Sequence, residues 1–188
     1  MAKHFLVKKF INEKQTKELS LKLFECLKNN EFHIDPQCPK SNSFYNLKDF
    51  LDLLEKARKL IENKTNTSLD STFSYARIYK RGETLSKHTD RNACEYAATI
   101  TLDYSGENPW GFNYIDKKAE SIVINKGDMF VYDGVNMPHW RDKLEEEWQT
   151  QLFLFFSEKE KEKRLLEEKF NDTLYQLYLK SKKRQCKK

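Results

Sequence analysis

The chain has 188 residues, 38% of them hydrophobic and 34% charged, and a formal net charge of +5. That length suits one domain with a single substantial core, and no stretch is apolar enough to span a bilayer. The N-terminal segment turns charged after a few apolar residues and has no cleavage site of small residues, and the four cysteines (Cys26, Cys38, Cys94, Cys186) are scattered. A cytoplasmic protein with free thiols, without membrane association, is therefore expected.

Two helical patterns come first. Residues 13–29 place Leu19, Leu23 and Leu27 four apart, with Asn12 available as the N-cap. Pro36 and Pro39 then break the chain, and residues 47–62 align Leu47, Leu51, Leu54, Leu60 and Ile61 on one stripe. From about residue 72 the period changes to two. Strands are expected near 73–80, 95–104, 111–115, 120–125, 128–133, 138–142 and 149–157. Turns fall at Arg81-Gly82, Ser105 to Pro109, Lys126-Gly127 and Asp133-Gly134. Short strands preceded by helices predict a mainly β, α+β domain: a sandwich or jelly roll with the N-terminal helices packed on one sheet.

Residues 158–182 return to a helical pattern whose stripe is Leu166, Phe170, Leu174, Leu177 and Tyr178. It suits packing on the domain or on a second copy, as in a homodimer. The last nine residues carry six lysines and arginines and no acid, and taking those six from +5 leaves −1 for the rest. The basic excess is a tail, and the near-neutral body argues against nucleic-acid binding. Residues 1–157 thus read as one domain, with helical support over 1–71 and a β core over 72–157. Residues 158–188 form an appended helix and tail.

The chemistry gathers at His88-Thr89-Asp90 and His139. On an extended strand His88 and Asp90 would point to one side with Cα atoms about 6.6–6.8 Å apart. Two imidazoles and a carboxylate, with the remaining positions open, suit non-haem Fe(II). Zinc with the same three ligands and a water is also chemically open. His4 and His33 have no such company.

Around the pair stand Arg77, Tyr79, Gly82, Leu85, His88 and Asp90, spaced Arg-x-Tyr-x-x-Gly-x-x-Leu-x-x-His-x-Asp. This resembles the iron(II)- and 2-oxoglutarate-dependent dioxygenase superfamily, leaning to its prolyl-hydroxylase-like branch. Gly127-Asp128 before Met129 to Tyr132 resembles the turn and strand preceding the distal histidine. Gln151 to Phe156 is similar to the last barrel strand. The resemblance spans roughly residues 73–157.

The resemblance implies a double-stranded β-helix holding Fe(II) at His88, Asp90 and His139. It further implies O2 and 2-oxoglutarate as co-substrates, with ascorbate as a supporting reductant. A C–H bond of a peptide side chain, proline above all, or of a small molecule is hydroxylated, and succinate and CO2 are released. The presence of Asp90 favours hydroxylation over halogenation.

Tyr79 stands where family members donate a phenol hydroxyl to the co-substrate. The cation that usually grips the distal carboxylate is replaced here by Gln149, and a neutral amide cannot neutralise a carboxylate. Strand parity nominates Arg77, beside Tyr79, and Arg141, beside His139, in no fixed order. Thr99 and Thr101 are expected to line the same pocket. Arg91, Trp110 and Trp140 flank the expected mouth as substrate contacts. A nucleic-acid demethylase of the same superfamily would show paired arginines on and after the last strand, which this chain lacks. A non-catalytic, cupin-like metal-binding module is the alternative of a different class. A third reading is an interaction protein acting through the C-terminal helix.

Overall fold

The computed structural model describes residues 4–159. The elements run β1 (Phe5–Val7), α1 (Glu13–Lys28), β2 (His33–Asp35), β3 (Cys38–Tyr45), a 3₁₀ turn (Lys48–Phe50), α2 (Leu51–Thr65), β4 (Leu69–Lys80), β5 (Leu85–His88), β6 (Tyr96–Tyr104), β7 (Phe112–Ile115), β8 (Ala119–Ile122), β9 (Met129–Tyr132), β10 (His139–Arg141) and β11 (Trp148–Glu158). They form a seven-stranded sheet in the order β1-β9-β6-β11-β4-β3-β2 and a four-stranded sheet in the order β5-β10-β7-β8. Every paired strand is antiparallel.

Alternation along the central strands builds two cores. Even-numbered Ala76, Ile78, Ala98, Ile100, Leu152 and Leu154 join Met129 and Val131 under α1 and α2, against Leu23, Cys26, Leu54, Ala57 and Ile61. Odd-numbered Tyr75, Tyr79, Phe153 and Phe155 join Phe130 and Tyr132 across from Phe112 and Tyr114 of the smaller sheet. The second core is mostly aromatic. It holds the charged and titratable groups described below.

The helices begin where local chemistry allows. Asn12 caps α1 by accepting from Gln15 N at 2.9 Å, and Gln15 Oε1 accepts from Asn12 N at 3.1 Å, which satisfies two helix-end donors. The helix expected over 47–62 is shifted: α2 starts at Leu51 after the 3₁₀ turn, Leu51 is exposed, and Leu53 and Ala57 share the buried face. Strands β1, β2, β3 and β5 are additions to the expected set. Pro39 sits in β3 outside the residues paired with β4, Asn42 to Tyr45, so its missing N–H costs no bond there. Gly127 (φ +81°) is needed twice: its turn requires a left-handed conformation, and a Cβ there would collide with the Ile11 carbonyl.

Glu158 ends β11, and Lys159 N donates to Ser68 O at 2.9 Å, so the helix expected from 158 does not include these two residues. The remainder of that helix, the basic tail, Cys186 and the homodimer expectation lie outside the described residues. Cys26, Cys38 and Cys94 are buried free thiols. Among the described residues no helix is long and apolar enough to cross a membrane.

Candidate metal and co-substrate site

His88 ends β5, and His139 opens β10 directly opposite it in the antiparallel register. That pairing brings together imidazoles 51 positions apart in the numbering, with ring centroids 4.3 Å apart. Asp90 is not on the strand. It lies in the following loop, where its N–H donates to Gly134 O at 2.7 Å. The turn brings Asp90 Oδ1 to 3.7 Å from His88 Nε2 and 3.8 Å from His139 Nε2. One ligand atom from each residue lies within 4.8 Å of the other two, a spacing that can hold a metal ion.

Both imidazoles are oriented from behind. His88 Nδ1 lies 2.8 Å from Ser86 O, and His139 Nδ1 lies 2.9 Å from Met137 O. A carbonyl can only accept, so each Nδ1 carries the proton and each Nε2 keeps its lone pair for a metal. Phe112 stacks on His139 at 5.5 Å and Tyr132 meets it edge-on at 4.8 Å, which closes that side to water.

Burial shapes the charges. It lowers His139 to about 4, leaving a neutral ligand at pH 7. It pushes Asp90 up to about 7, with Arg91 and the Tyr132 hydroxyl partly opposing the shift. Asp90 Oδ2 is buried and, among the described residues, accepts no hydrogen bond. A bare buried carboxylate oxygen is costly, and a divalent cation reverses that cost. The donor set of two nitrogens and one hard oxygen fits Fe(II).

The two candidate arginines differ in their partners. Arg77 is engaged throughout: Nε donates to the Tyr75 hydroxyl at 2.7 Å and to Ser43 Oγ at 3.3 Å, Nη1 to the Tyr79 hydroxyl at 3.2 Å, and Nη2 to Asp35 Oδ2 at 2.8 Å. Arg141 is 1% exposed and, among the described residues, pairs with no carboxylate. Its Nη1 donates to Trp110 O at 2.6 Å and Gly111 O at 3.2 Å, while Nε and Nη2 have no hydrogen-bond partner among the described residues. Its guanidinium carbon lies over the Trp110 and Phe112 rings, 5.1 and 5.3 Å from their centroids. Burial lowers it to about 10, with Tyr79 and Tyr132 as its opposing electrostatic neighbours. An unpaired cation with two orphaned donors is the complement of an anion's carboxylate.

Other expected residues are placed differently. Gln149 is spent: its Oε1 accepts from Trp110 N at 2.8 Å and its Nε2 donates to Gln151 Oε1 at 2.9 Å. Gln151 in turn donates to Thr99 Oγ1 at 2.7 Å and accepts from Thr101 Oγ1 at 3.3 Å, so both threonines face a closed polar chain. Trp110 is 7% exposed and its indole N–H donates to Asp142 O at 2.8 Å, well inside the expected mouth. Trp140 is half-buried under Lys87.

Arg91 lines a cavity of about 520 Å³ with His88 and Asp90. Sequence reasoning missed Tyr132, Asp35 and Tyr75. The inward parity of β9 was a usable signal for Tyr132. Asp35 sat in a stretch read as a break.

No family model matches the chain, and no curated protein matches it. Solved structures do. A prolyl hydroxylase from Trichoplax adhaerens, in complex with a hypoxia-inducible-factor oxygen degradation domain peptide, superposes with a TM-score of 0.73 at 11% identity. That match covers 88% of this chain and 87% of that one. The Pseudomonas putida prolyl-4-hydroxylase gives 0.69 at 12% identity, over 82% and 92%. HygX from Streptomyces hygroscopicus, with nickel and 2-oxoglutarate bound, gives 0.67 at 11% identity, over 85% and 84%. At these identities the likeness is one of architecture, and this chain shares the fold of those proteins.

Proposed function

We propose that the chain is an Fe(II)- and 2-oxoglutarate-dependent dioxygenase of the prolyl-hydroxylase-like type, with its two sheets closed as a double-stranded β-helix. One observation carries the reading. A three-point metal cluster packs beside the aromatic core, whose Trp110 and Phe112 rings also cover a buried arginine with two donors unused among the described residues. His88, Asp90 and His139 hold the metal, and Arg141 grips the distal carboxylate of 2-oxoglutarate. The Tyr79 phenol, fixed by Arg77, borders the same space. Bound there, Fe(II) with 2-oxoglutarate supplies activated oxygen, so that O2, 2-oxoglutarate and R–H become CO2, succinate and R–OH.

The chain's own contribution is arrangement. Ser86 O and Met137 O fix the imidazole tautomers, Phe112 and Tyr132 exclude water beside His139, and Asp90 supplies the single anionic ligand. The large cavity beyond His88 and Asp90 receives the substrate, a peptide side chain or a small molecule. The peptide in the Trichoplax adhaerens complex supports the first.

The reading is tested by incubating anaerobically purified protein with Fe(II) and 2-oxoglutarate, admitting oxygen and quantifying succinate. Wild type is expected to form iron-dependent succinate, and His139→Ala is expected to lose at least nine-tenths of it. Equal succinate from both would remove His139 from the mechanism.

A further inference from the structure

The substrate cavity has a chemical character that narrows its guest, given the oxygenase reading on which this step rests. Its floor is a ladder of rings on the inner face of the larger sheet. Tyr45 lies 4.7 Å from Tyr75, Phe73 lies 4.5 Å from Phe155, and Tyr45 lies 6.4 Å from Phe73. These tilted, partly exposed faces suit a flat ring placed offset or edge-on.

The rim's acid away from the metal ligands is committed. Asp35 Oδ1 accepts from Gln37 N, and Oδ2 accepts from Arg77 and the Tyr75 hydroxyl, so this acid offers no free charge to a cationic guest. Arg91 differs. It is exposed, its guanidinium lies over the Phe73 ring at 5.4 Å, and it makes no ion pair among the described residues. Its electrostatic neighbour is Asp90, whose charge a metal ion would take. With the metal's two positive charges and Arg141 set against Asp90 and the doubly charged co-substrate, the inner site is neutral. Arg91 is then the unbalanced charge of the cavity, held in register with a ring.

We infer that the cavity takes a small aromatic carboxylate, with its ring against Phe73, Tyr45 and Tyr75 and its carboxylate on Arg91, leaving a ring-adjacent C–H directed to the metal face. A cavity of about 520 Å³ falls in the ordinary range for small-molecule sites, roughly 300–1,000 Å³.

Calorimetry under nitrogen, with Fe(II) and 2-oxoglutarate saturating so that neither inner site competes for the acid, tests this with matched probes. These are 3-phenylpropanoate and indole-3-acetate, each beside its primary amide, and a proline-containing peptide. At least one acid is expected to bind about tenfold or more tightly than its amide, since a charge-assisted bond is about twice as strong as a neutral one. Arg91→Gln should erase that preference, and Phe73→Ala should weaken acid and amide alike. Equal binding of acid and amide, a preference surviving in Arg91→Gln, or binding of the peptide and neither acid would overturn the proposal. Acids that bind as expected but support no succinate formation would leave this inference standing and sink the oxygenase reading.

Discussion

At the scale of single residues, burial moves the two inner ligands in opposite directions. Asp90 rises from 3.8 to about 7, and His139 falls from 6.5 to about 4. In the metal-free protein the raised carboxyl contributes stability below pH 3.8 that is lost as pH climbs through 7. The lowered imidazole contributes stability above pH 6.5 that is lost as pH falls through 4. Between about 4 and 6.5 the two slopes cancel, so these groups leave metal-free stability flat there. Metal affinity behaves otherwise, because the Asp90 proton must leave before the ion binds. Mn(II) affinity, measured by titration calorimetry, is expected to rise by up to about tenfold per unit between about pH 5 and pH 7 and to flatten above that. Asp90→Asn should bind far more weakly and remove the Asp90 part of that slope. A steep wild-type profile kept intact in the variant would show that another group sets it.

Gln149 acts at the same scale through its neighbour. The Trp110 peptide is bonded at both ends, its N–H to Gln149 Oε1 and its C=O to Arg141 Nη1. On the proposed function, Gln149 would act by positioning the arginine through the Trp110 peptide. Gln149→Met leaves a buried N–H unpaired, at a cost of about 1–3 kcal/mol, and should raise the KM for 2-oxoglutarate about tenfold with Mn(II) affinity unchanged. A fall in kcat alone would count against the positioning role.

At the scale of elements, the site depends on the β5–β10 register and on one glycine. Gly134 O holds the Asp90 N–H, and a Cβ at Gly134 would meet the Cys94 carbonyl and approach Asp90 Oδ2 to 2.7 Å. Gly134→Ala should displace the carboxylate, weakening Mn(II) binding by about tenfold or more while the circular dichroism spectrum holds. Unchanged affinity would mean that the loop tolerates the methyl group.

Elements with strict alternation were legible in the sequence: β4, β6, β9 and β11 present one parity to the helices and the other to the aromatic core. Along β10 the same alternation leaves His139 and Arg141 buried and Trp140 between them half-buried. Strand β3, Cys-Pro-Lys-Ser-Asn-Ser-Phe-Tyr, reads as loop by propensity. It becomes a strand because Asn42 to Tyr45 complete the ladder of β4. Asp90 and Gln149 mark the limit. A loop's turn and an amide's partners arise from tertiary contacts, and neither leaves a periodic trace.

At the scale of the whole molecule, the chain tolerates two buried groups of opposite sign that have no hydrogen-bond partner among the described residues: Asp90 Oδ2, and Nε with Nη2 of Arg141. Each lowers the stability of the empty protein, and on the proposed function each would be satisfied by a ligand that binds only the folded state. Ligand binding and folding are therefore linked. At one hundred times Kd a ligand adds about 2.7 kcal/mol, and each kcal/mol moves Tm by about 2–4 °C in a domain of this size.

Ni(II) with 2-oxoglutarate should raise Tm by about 5–11 °C, and a chelator should reverse it. Arg141→Met separates the metal's contribution from that of the co-substrate. Replacing an unpaired buried cation by an apolar chain of similar length relieves desolvation, so the empty variant should melt at or above the wild-type temperature. The added shift from 2-oxoglutarate should vanish while the shift from Ni(II) alone persists. If Arg141→Met instead melts well below wild type and keeps the 2-oxoglutarate shift, the arginine is a structural member of the core and the co-substrate carboxylate is held elsewhere, with Arg77 next in line.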